Sequence, residues 1–466
     1  MKQKSVVILG GGISGLATAW FFQRTFGDTI HVTIVEKSSR LGGWIRTVEQ
    51  NSFLFEQGPR GCRSKGSGLE TLKLIEQAGL EGEVIVADAN AKKRYLWVND
   101  KLQKIPSGPF SFLFSSLTKG VMGSLFRERS IERYEGDDET VYDFICRRFN
   151  SHIAETFVDP LVLGIFAGNP HKLSMRSCFP AIHQWEQEYG SVMKGAFAQR
   201  KGRSQEGMSE FVRRLQKGGI FSFKEGMESF VTGLAKRIHA EVLLDTTVQA
   251  LRFTEEGAEV DVCKANEGRV LRADYVVSAL PSNALAALFS SLHPSIAQQL
   301  RSVTSASVAV VNFGYDRAVM PKSGFGHLIP TQEQEEVLGV VWDSCVFPQQ
   351  NRHSAETRLS VMIGGDQIED FSDYVEQDCI EMALRAVSKH LKIKEKPKGI
   401  AVRIAQQAIP QYYVGHTATI QSIEMQIKKH FPRLTLLGNS FYGVGVNDCI
   451  IQAKKVVDRY LPGFSC

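Results

Sequence analysis

The stretch ILGGGISGLATAW, residues Ile8–Trp20, constrains this chain more than any other. Just ahead of its glycines, Ser5–Leu9 (SVVIL) is a short β-branched run of the kind that forms a buried parallel strand, and Ala17–Arg24 continues in helix-compatible residues. The implied order is strand, tight glycine turn, helix. Gly10, Gly12 and Gly15 fit the GxGxxG spacing. The first glycine allows the turn, the second lets backbone approach a pyrophosphate, and the third lets helix pack on strand. Gly11, Ile13 and Ser14 complete a loop whose unpaired N–H groups, at the positive end of a helix dipole, favour an anion. Glycine turns also arise for structural reasons alone, so the downstream context decides. There His31–Val35 (HVTIV) is a second apolar strand ending in Glu36, about 20 residues after the loop, where a carboxylate can accept hydrogen bonds from both ribose hydroxyls. The same carboxylate would repel a 2′-phosphate.

Beyond Glu36 come Arg40-Leu41-Gly42-Gly43-Trp44, then Arg46 and Thr47. The extended pattern GGGxSGL…E…RLGG resembles the flavoproteins of the amine oxidase and protoporphyrinogen oxidase superfamily, which implies FAD as cofactor instead of NAD. Distant stretches sharpen the resemblance: FEQGPRGCR (Phe55–Arg63), GIFAGNPHKLSMRSCFP (Gly164–Pro180), GFGHLIP (Gly324–Pro330), IPQYYVGH (Ile409–His416) and GNSFYGVGVNDCI (Gly438–Ile450). Together they are similar to the protoporphyrinogen oxidase family within that superfamily, in blocks that recur from residue 5 to about residue 455. The resemblance implies that Lys37, Gly42, Gly43, Trp44, Gly58, Pro59, Arg60 and Gly61 line FAD. It also places Val248 near the adenine and adds Asn439, Val444, Gly445 and Val446 to the cofactor set. The last block has its own physical logic. Leu434–Leu437 reads as a strand, Gly438 ends it, and Val444–Val446 starts a helix whose amides can meet the flavin or its phosphates. An ordinary strand-to-helix turn is the alternative.

The expected fold class is α/β: a discontinuous Rossmann-like FAD-binding domain (residues 1–90, 219–290 and 404–466), a mixed-sheet substrate domain (91–106 and 291–403) and a helical insertion (107–218). Val308–Phe313 and Ser360–Ile363 are strand-like runs of the mixed sheet. In the insertion, Phe110, Leu113, Phe114, Leu117, Val121 and Leu125 recur at helical spacing, widened by Phe112, Met122 and Phe126 and accompanied by Lys119, Arg127 and Arg129. Such a surface is either a buried core helix or one that rests in a membrane interface. The family resemblance, with its peripheral membrane association, brings the two readings level.

At 466 residues the chain exceeds one ordinary core, and 43% hydrophobic with 23% charged residues is near the soluble average. A net charge of +5 falls far short of the stripe a nucleic-acid binder needs, whereas acidic small molecules remain plausible partners. The densest basic run, Lys389–Lys398, reads as a solvated helix end or loop. Eight cysteines without a CxxC or a histidine partner argue for reduced thiols, not disulfides or a metal site. No apolar run reaches about 18 residues, so no spanning helix is expected, and the expected location is cytoplasmic, with peripheral membrane contact open.

For the chemistry, the resemblance implies oxygen-dependent conversion of a porphyrinogen to a porphyrin in haem biosynthesis. Six hydrogens are removed in three two-electron turns, with hydrogen peroxide released each time. The protein mainly has to hold the right substrate carbon against the cofactor, which suits a sequence without catalytic triad, HExxH or metal cluster. A flat greasy macrocycle with propionate arms asks for apolar walls and a few cations. By resemblance Phe325, Leu328 and Met362 are walls, Arg94 pairs with a propionate, and the Gly168 carbonyl accepts a pyrrole N–H. Taken singly, the walls could be ordinary core and Arg94 a solvent-exposed strand residue. Protoporphyrinogen IX is the leading substrate and coproporphyrinogen III the nearest rival. An amine oxidase or desaturase, or a non-catalytic flavoprotein in a haem-synthesis assembly, keeps the FAD argument and loses the substrate. Oxygen or another electron acceptor, neighbouring haem-synthesis enzymes and a second copy of the chain complete the expected partners.

Overall fold

The computed structural model of the chain describes residues 3–106, 115–118, 121–201, 207–368 and 371–464. Lys4–Leu9 (β1) alternates strictly: Val6 and Ile8 enter one core, Val7 and Leu9 another, and none is more than 2% exposed. A strand buried on both faces belongs in the middle of a parallel sheet. Accordingly β1 is joined by Ile30–Val35 (β2), Glu241–Leu243 (β3), Tyr275–Ser278 (β4) and Leu434–Leu436 (β5) in the order β3-β2-β1-β4-β5, every pairing parallel. Helices Ile13–Phe26 (α1) and Val446–Phe464 (α2) cover one face, where Leu16 and Trp20 meet Ile450, Ala453 and Val457. The other face is covered by helices Ser282–Leu292, Pro294–Ser302 and His416–His430 and by a three-stranded antiparallel sheet between residues 247 and 273. Because these strands come from distant parts of the chain, the nucleotide-binding fold is discontinuous.

A second, mixed sheet has seven strands in the order Gly399–Pro410, Ser305–Tyr315, Thr357–Gly364, Gly339–Val341, Gly326–Leu328, Tyr95–Val98, Lys101–Lys104. Only the Gly326–Leu328 and Tyr95–Val98 pair is parallel. The two expected strand runs are antiparallel neighbours in it, with Val310 opposite Met362. One face buries Trp97, Val311, Phe313 and Val361 under helix Glu376–Leu391, which ends at Lys392 inside the basic run, as a solvated helix end should. Leu96, Leu328 and Met362 belong to other clusters, which also hold Trp44 and Leu163. Two segments cross the expected boundaries. The Gly399–Pro410 strand runs through residue 404 because it pairs along Ser305–Tyr315, and helix Pro294–Ser302 packs on the nucleotide-binding sheet.

The described part of the insertion is mostly helical, interrupted by irregular stretches at 131–140 and 167–174, and it packs around Val141, Phe144, Val162, Phe166 and Leu173. Leu117 and Val121 are buried and Leu125 packs on that core, whereas Met122 and Phe126 are 39% and 71% exposed. Phe110, Phe112, Leu113, Phe114 and Lys119 lie outside the described residues. Among the described residues no helix is long and apolar enough to cross a membrane.

Candidate functional site

The glycine loop is fixed by its own backbone. Gly10 turns the chain at φ +100°, donates to the Val35 carbonyl at 2.8 Å, and has the Ala279 carbonyl 3.1 Å from where a Cβ would stand. A Cβ on Gly15 would come 2.0 Å from the Gly10 carbonyl, so the close packing of α1 on the turn depends on that hydrogen. Gly12 is different. Its backbone is extended (φ −71°, ψ −179°), and a Cβ there would meet only the Gly43 Cα, at 3.8 Å. It begins α1 with no capping side chain and no acidic residue in the first turn, so the helix start is left for an outside anion.

Glu36, buried at the end of β2, accepts the Gly11 N–H at 2.7 Å on one oxygen and the Ser38 N–H and hydroxyl at 2.9 and 2.7 Å on the other. The carboxylate therefore anchors the glycine loop before any ribose reaches it. Lys37 beside it is exposed. The second glycine pair docks directly on the first: Gly42 donates to the Gly11 carbonyl at 2.8 Å, and Gly12 and Gly42 form a parallel bridge. Arg40 holds this turn by donating to the carbonyls of Leu41, Gly43 and Ile45 and by pairing with Glu228 at 3.2 Å.

The third loop, Gly58-Pro59-Arg60-Gly61, lies against the second. A Cβ on Gly58 would stand 2.1 Å from the Trp44 carbonyl. Arg403, which the sequence reading missed, donates to the carbonyls of Trp44 and Gln57 and stacks its guanidinium 5.3 Å from the Trp44 ring centre. Burial, with Arg40 and Arg46 nearby, brings Arg403 down to about 10. Arg60 reaches toward the mixed sheet, with its Nε 3.3 Å from buried Asp343 and its Nη1 3.9 Å from the Met362 sulfur. One of its nitrogens, Nη2, is buried without a hydrogen-bond partner. Asp343 accepts from the Ser360 hydroxyl at 2.7 Å, which itself accepts from Asn312. A buried polar seam thus joins the Gly58–Gly61 loop to the mixed sheet.

Glu56 ends the strand leading into this loop. Its oxygens accept the Met227 N–H at 2.7 Å and the Thr47 hydroxyl at 2.9 Å, yet burial lifts it from 4.5 to about 7. The folded state then holds a proton that the unfolded chain has lost, so this contribution to stability is full below 4.5 and is lost as pH rises through about 7, on the order of 3 kcal/mol in all. Glu56→Gln, which cannot ionise, is expected to melt higher relative to the parent at about pH 8 than at about pH 5. Thermal melts of both proteins across that range check it, and a pH-independent difference would remove Glu56 from the account.

Val248 lies near the carboxylate strand end, two residues past Thr246, whose N–H donates to the Glu36 carbonyl at 3.0 Å. In the last block α2 starts at Val446 as expected, and half-buried Val444 packs on the insertion's core. One amide there is already engaged: half-buried Asp448 faces the Gly445 N–H and the Ser67 hydroxyl, although desolvation outweighs both and raises its carboxyl. Asn439 sits in the loop between β5 and α2, and its carbonyl accepts from Tyr412.

Among the residues expected to face the substrate, the Arg94 guanidinium lies over the Phe325 ring at 5.1 Å. Partial burial and then the neighbouring Arg63 lower it, and it makes no hydrogen bond or ion pair to any other described residue. Met362 clusters with Trp44, Leu163 and Leu338. Leu328 abuts the helix Asp159–Phe166, with its Cδ2 2.8 Å from where a Gly164 Cβ would stand. Gly168 is held against Gln411, whose Oε1 is 2.1 Å from its ideal Cβ, and its carbonyl takes no hydrogen bond among the described residues. The walls thus fall into two groups. Met362 and Leu328 flank the Leu163–Gly164 turn of that helix, while Phe325 and Arg94 pack beside Val341 and Ile220.

A parallel sheet whose bare glycine loop, acidic strand end and two further glycine loops converge defines a dinucleotide-cofactor oxidoreductase. The chain belongs to the family of flavin containing amine oxidoreductases, whose profile matches residues 13–461, and its cofactor is FAD. Human (Homo sapiens) protoporphyrinogen oxidase is 36% identical to it over 97% of each chain. Coproporphyrinogen III oxidase of Bacillus subtilis (strain 168) is 28% identical over 98% of each. A solved structure from Exiguobacterium sp. 255-15 shares the fold with a TM-score of 0.83 at 23% identity, over 98% of this chain and 99% of that one.

Proposed function

We propose that this chain oxidises protoporphyrinogen IX to protoporphyrin IX, with oxygen as the electron acceptor and hydrogen peroxide as the second product. The observation that carries the reading is full-length similarity to protoporphyrinogen oxidases, together with an Arg94 guanidinium beside the Phe325 ring that has no carboxylate partner among the described residues. Gly10–Gly15, Glu36, Gly42–Trp44, Gly58–Gly61, Val248 and the Asn439–Val446 loop are the residues that would hold FAD. Bound FAD supplies two-electron oxidation of a substrate carbon.

The chain's own groups do the rest. Phe325, Leu328 and Met362 offer apolar surface to a macrocycle, and Arg94 offers charge to a propionate. Leu163 and Gly164 press against Met362 and Leu328, which would help keep water from the reacting carbon. The domain limits, a homodimer, a neighbouring haem-synthesis enzyme and peripheral membrane contact through Met122 and Phe126 belong to the same reading.

Purified protein given protoporphyrinogen IX and coproporphyrinogen III separately, with porphyrin fluorescence and peroxide followed, tests it. Faster turnover of the dicarboxylate is expected. Preference for the tetrapropionate would replace the substrate, and no porphyrin from either would end the reading. The second substrate is kept in view by the full-length similarity to the Bacillus enzyme.

A further inference from the structure

The loop between β5 and α2 is closed by a side chain from elsewhere. Tyr412, 1% exposed, donates its phenol proton to the Asn439 carbonyl and accepts the Gly443 N–H at 2.8 Å. A direct bond between those two backbone groups would draw the turn tight; the phenol oxygen stands between them and sets a wider opening. Behind it the His416 ring stacks on Tyr412 at 4.1 Å and 16°. The His416 Nε2 lies 3.1 Å from the Phe441 carbonyl, a contact that requires the proton on that nitrogen. Two buried rings thus hold residues 439, 441 and 443 of one loop. Burial keeps the phenol protonated and lowers the imidazole to about 4, so both donors are present at neutral pH.

The same segment is fastened on its other side to the helical insertion. Ser174 donates its N–H to the Tyr412 carbonyl at 2.8 Å. The Asp138 carboxylate accepts from the Gly415 N–H at 3.1 Å and from the Ser174 hydroxyl at 2.8 Å. The hydroxyls of Ser177 and Thr417 meet at 2.8 Å. One tyrosine therefore stands between the insertion and the loop that leads into α2.

We infer that Tyr412 is a positioning residue for the flavin: it fixes the Asn439–Gly443 loop in its cofactor-accepting shape, with the insertion as its anchor. The inference rests on the reading that this loop lines FAD. Phe441 packs into the core under the parallel sheet and Tyr442 is 42% exposed, so neither ring bridges the Asn439 carbonyl and the Gly443 N–H as Tyr412 does.

Tyr412→Phe keeps the ring and its stacking on His416 but loses both hydrogen bonds. Stripped of flavin and titrated with FAD, the full-length variant is expected to bind about tenfold or more weakly than the parent, from two lost hydrogen bonds. At saturating FAD, the KM for porphyrinogen should stay within about threefold. A lower melting temperature with unchanged FAD affinity would make Tyr412 merely structural and overturn the inference. Should Tyr412→Phe fail to fold, His416→Gln decides. Its amide can still donate to Phe441, but the stack under Tyr412 is gone, so a weakened FAD affinity supports the inference and an unchanged one overturns it. Parent protein that binds no FAD at all would sink the functional reading itself, a result distinct from either.

Discussion

Gly12→Val is expected to yield a chain that folds and carries no flavin. The reason lies in how differently the three motif glycines are used. Gly12 has an ordinary negative φ, and the position of its missing Cβ meets only the Gly43 Cα at 3.8 Å. The protein itself therefore has little objection to a side chain there. What a valine fills is the space outside the loop, where the pyrophosphate has to lie against bare backbone. Losing the contacts to that anion weakens FAD binding roughly a hundredfold or more, since hydrogen bonds to charged groups are worth about 1.5–3 kcal/mol each. Gly15→Ala is the contrasting control. Its Cβ would sit 2.0 Å from the Gly10 carbonyl, which is backbone and cannot swing away, so this variant should lose folding along with flavin. Visible absorbance of the purified variants, read beside the melting temperatures of the flavin-free forms, separates the two cases. A yellow Gly12→Val protein with full flavin content would show that the anion lies elsewhere.

The contrast also marks what a sequence can carry. The order β1, Gly10–Gly15, α1, β2, Glu36 was legible because each step depends on residues within a few positions of one another: β-branched runs, a glycine spacing, a carboxylate at a strand end. The central parts of Ser305–Tyr315 and Thr357–Gly364, read as the runs Val308–Phe313 and Ser360–Ile363, were legible from the same local patterns, though not their antiparallel pairing. Their partner Gly399–Pro410 was divided at residue 404, since a strand that belongs to one domain by pairing lies, in sequence, just ahead of segments belonging to the other.

Arg403 and Asp343 gave no signal, and Tyr412 lay in the IPQYYVGH stretch without a role assigned to it. Arg403 and Tyr412 act on backbone groups of the loops at Trp44, Gln57, Asn439 and Gly443, and Asp343 acts on Arg60 and Ser360. Contacts at such separations have no periodicity to betray them. Glu36 was legible in place but not in full: the sequence assigned it to ribose hydroxyls, whereas the fold also requires it to hold Gly11 and Ser38. Arg40 is the residue that could have been found. A cation two residues ahead of a glycine pair has to neutralise or cap something near it, and here it caps three carbonyls of its own turn.

Arg94→Ala carries the other large expectation, a KM for porphyrinogen raised roughly 10- to 100-fold with kcat nearly unchanged, the worth of a charge-assisted hydrogen bond of about 1.5–3 kcal/mol. Arg94 ends the turn before Tyr95–Val98, and its backbone is fixed by the Ile105 N–H donating to its carbonyl at 2.8 Å. The guanidinium has an aromatic ring beneath it and another cation, Arg63, nearby to depress it. No described residue gives the Arg94 guanidinium a carboxylate, so an arriving anion would meet a partly buried cation that no described carboxylate neutralises. The proposed contact would lie on a carboxylate arm and not on the reacting carbon, so it would strengthen substrate and transition state alike. That is why the loss falls on KM. A porphyrinogen with esterified propionates separates this from a packing defect. The parent should lose affinity for the ester by about the same factor, and Arg94→Ala should hardly distinguish ester from acid, since the two changes remove one interaction. Arg94→Lys should recover only part of the loss, because an ammonium cannot offer the paired N–H groups that match a carboxylate. If the ester and the alanine substitution weaken binding independently, Arg94 is a wall of the pocket through its contact with Phe325, and the propionate is held by another cation.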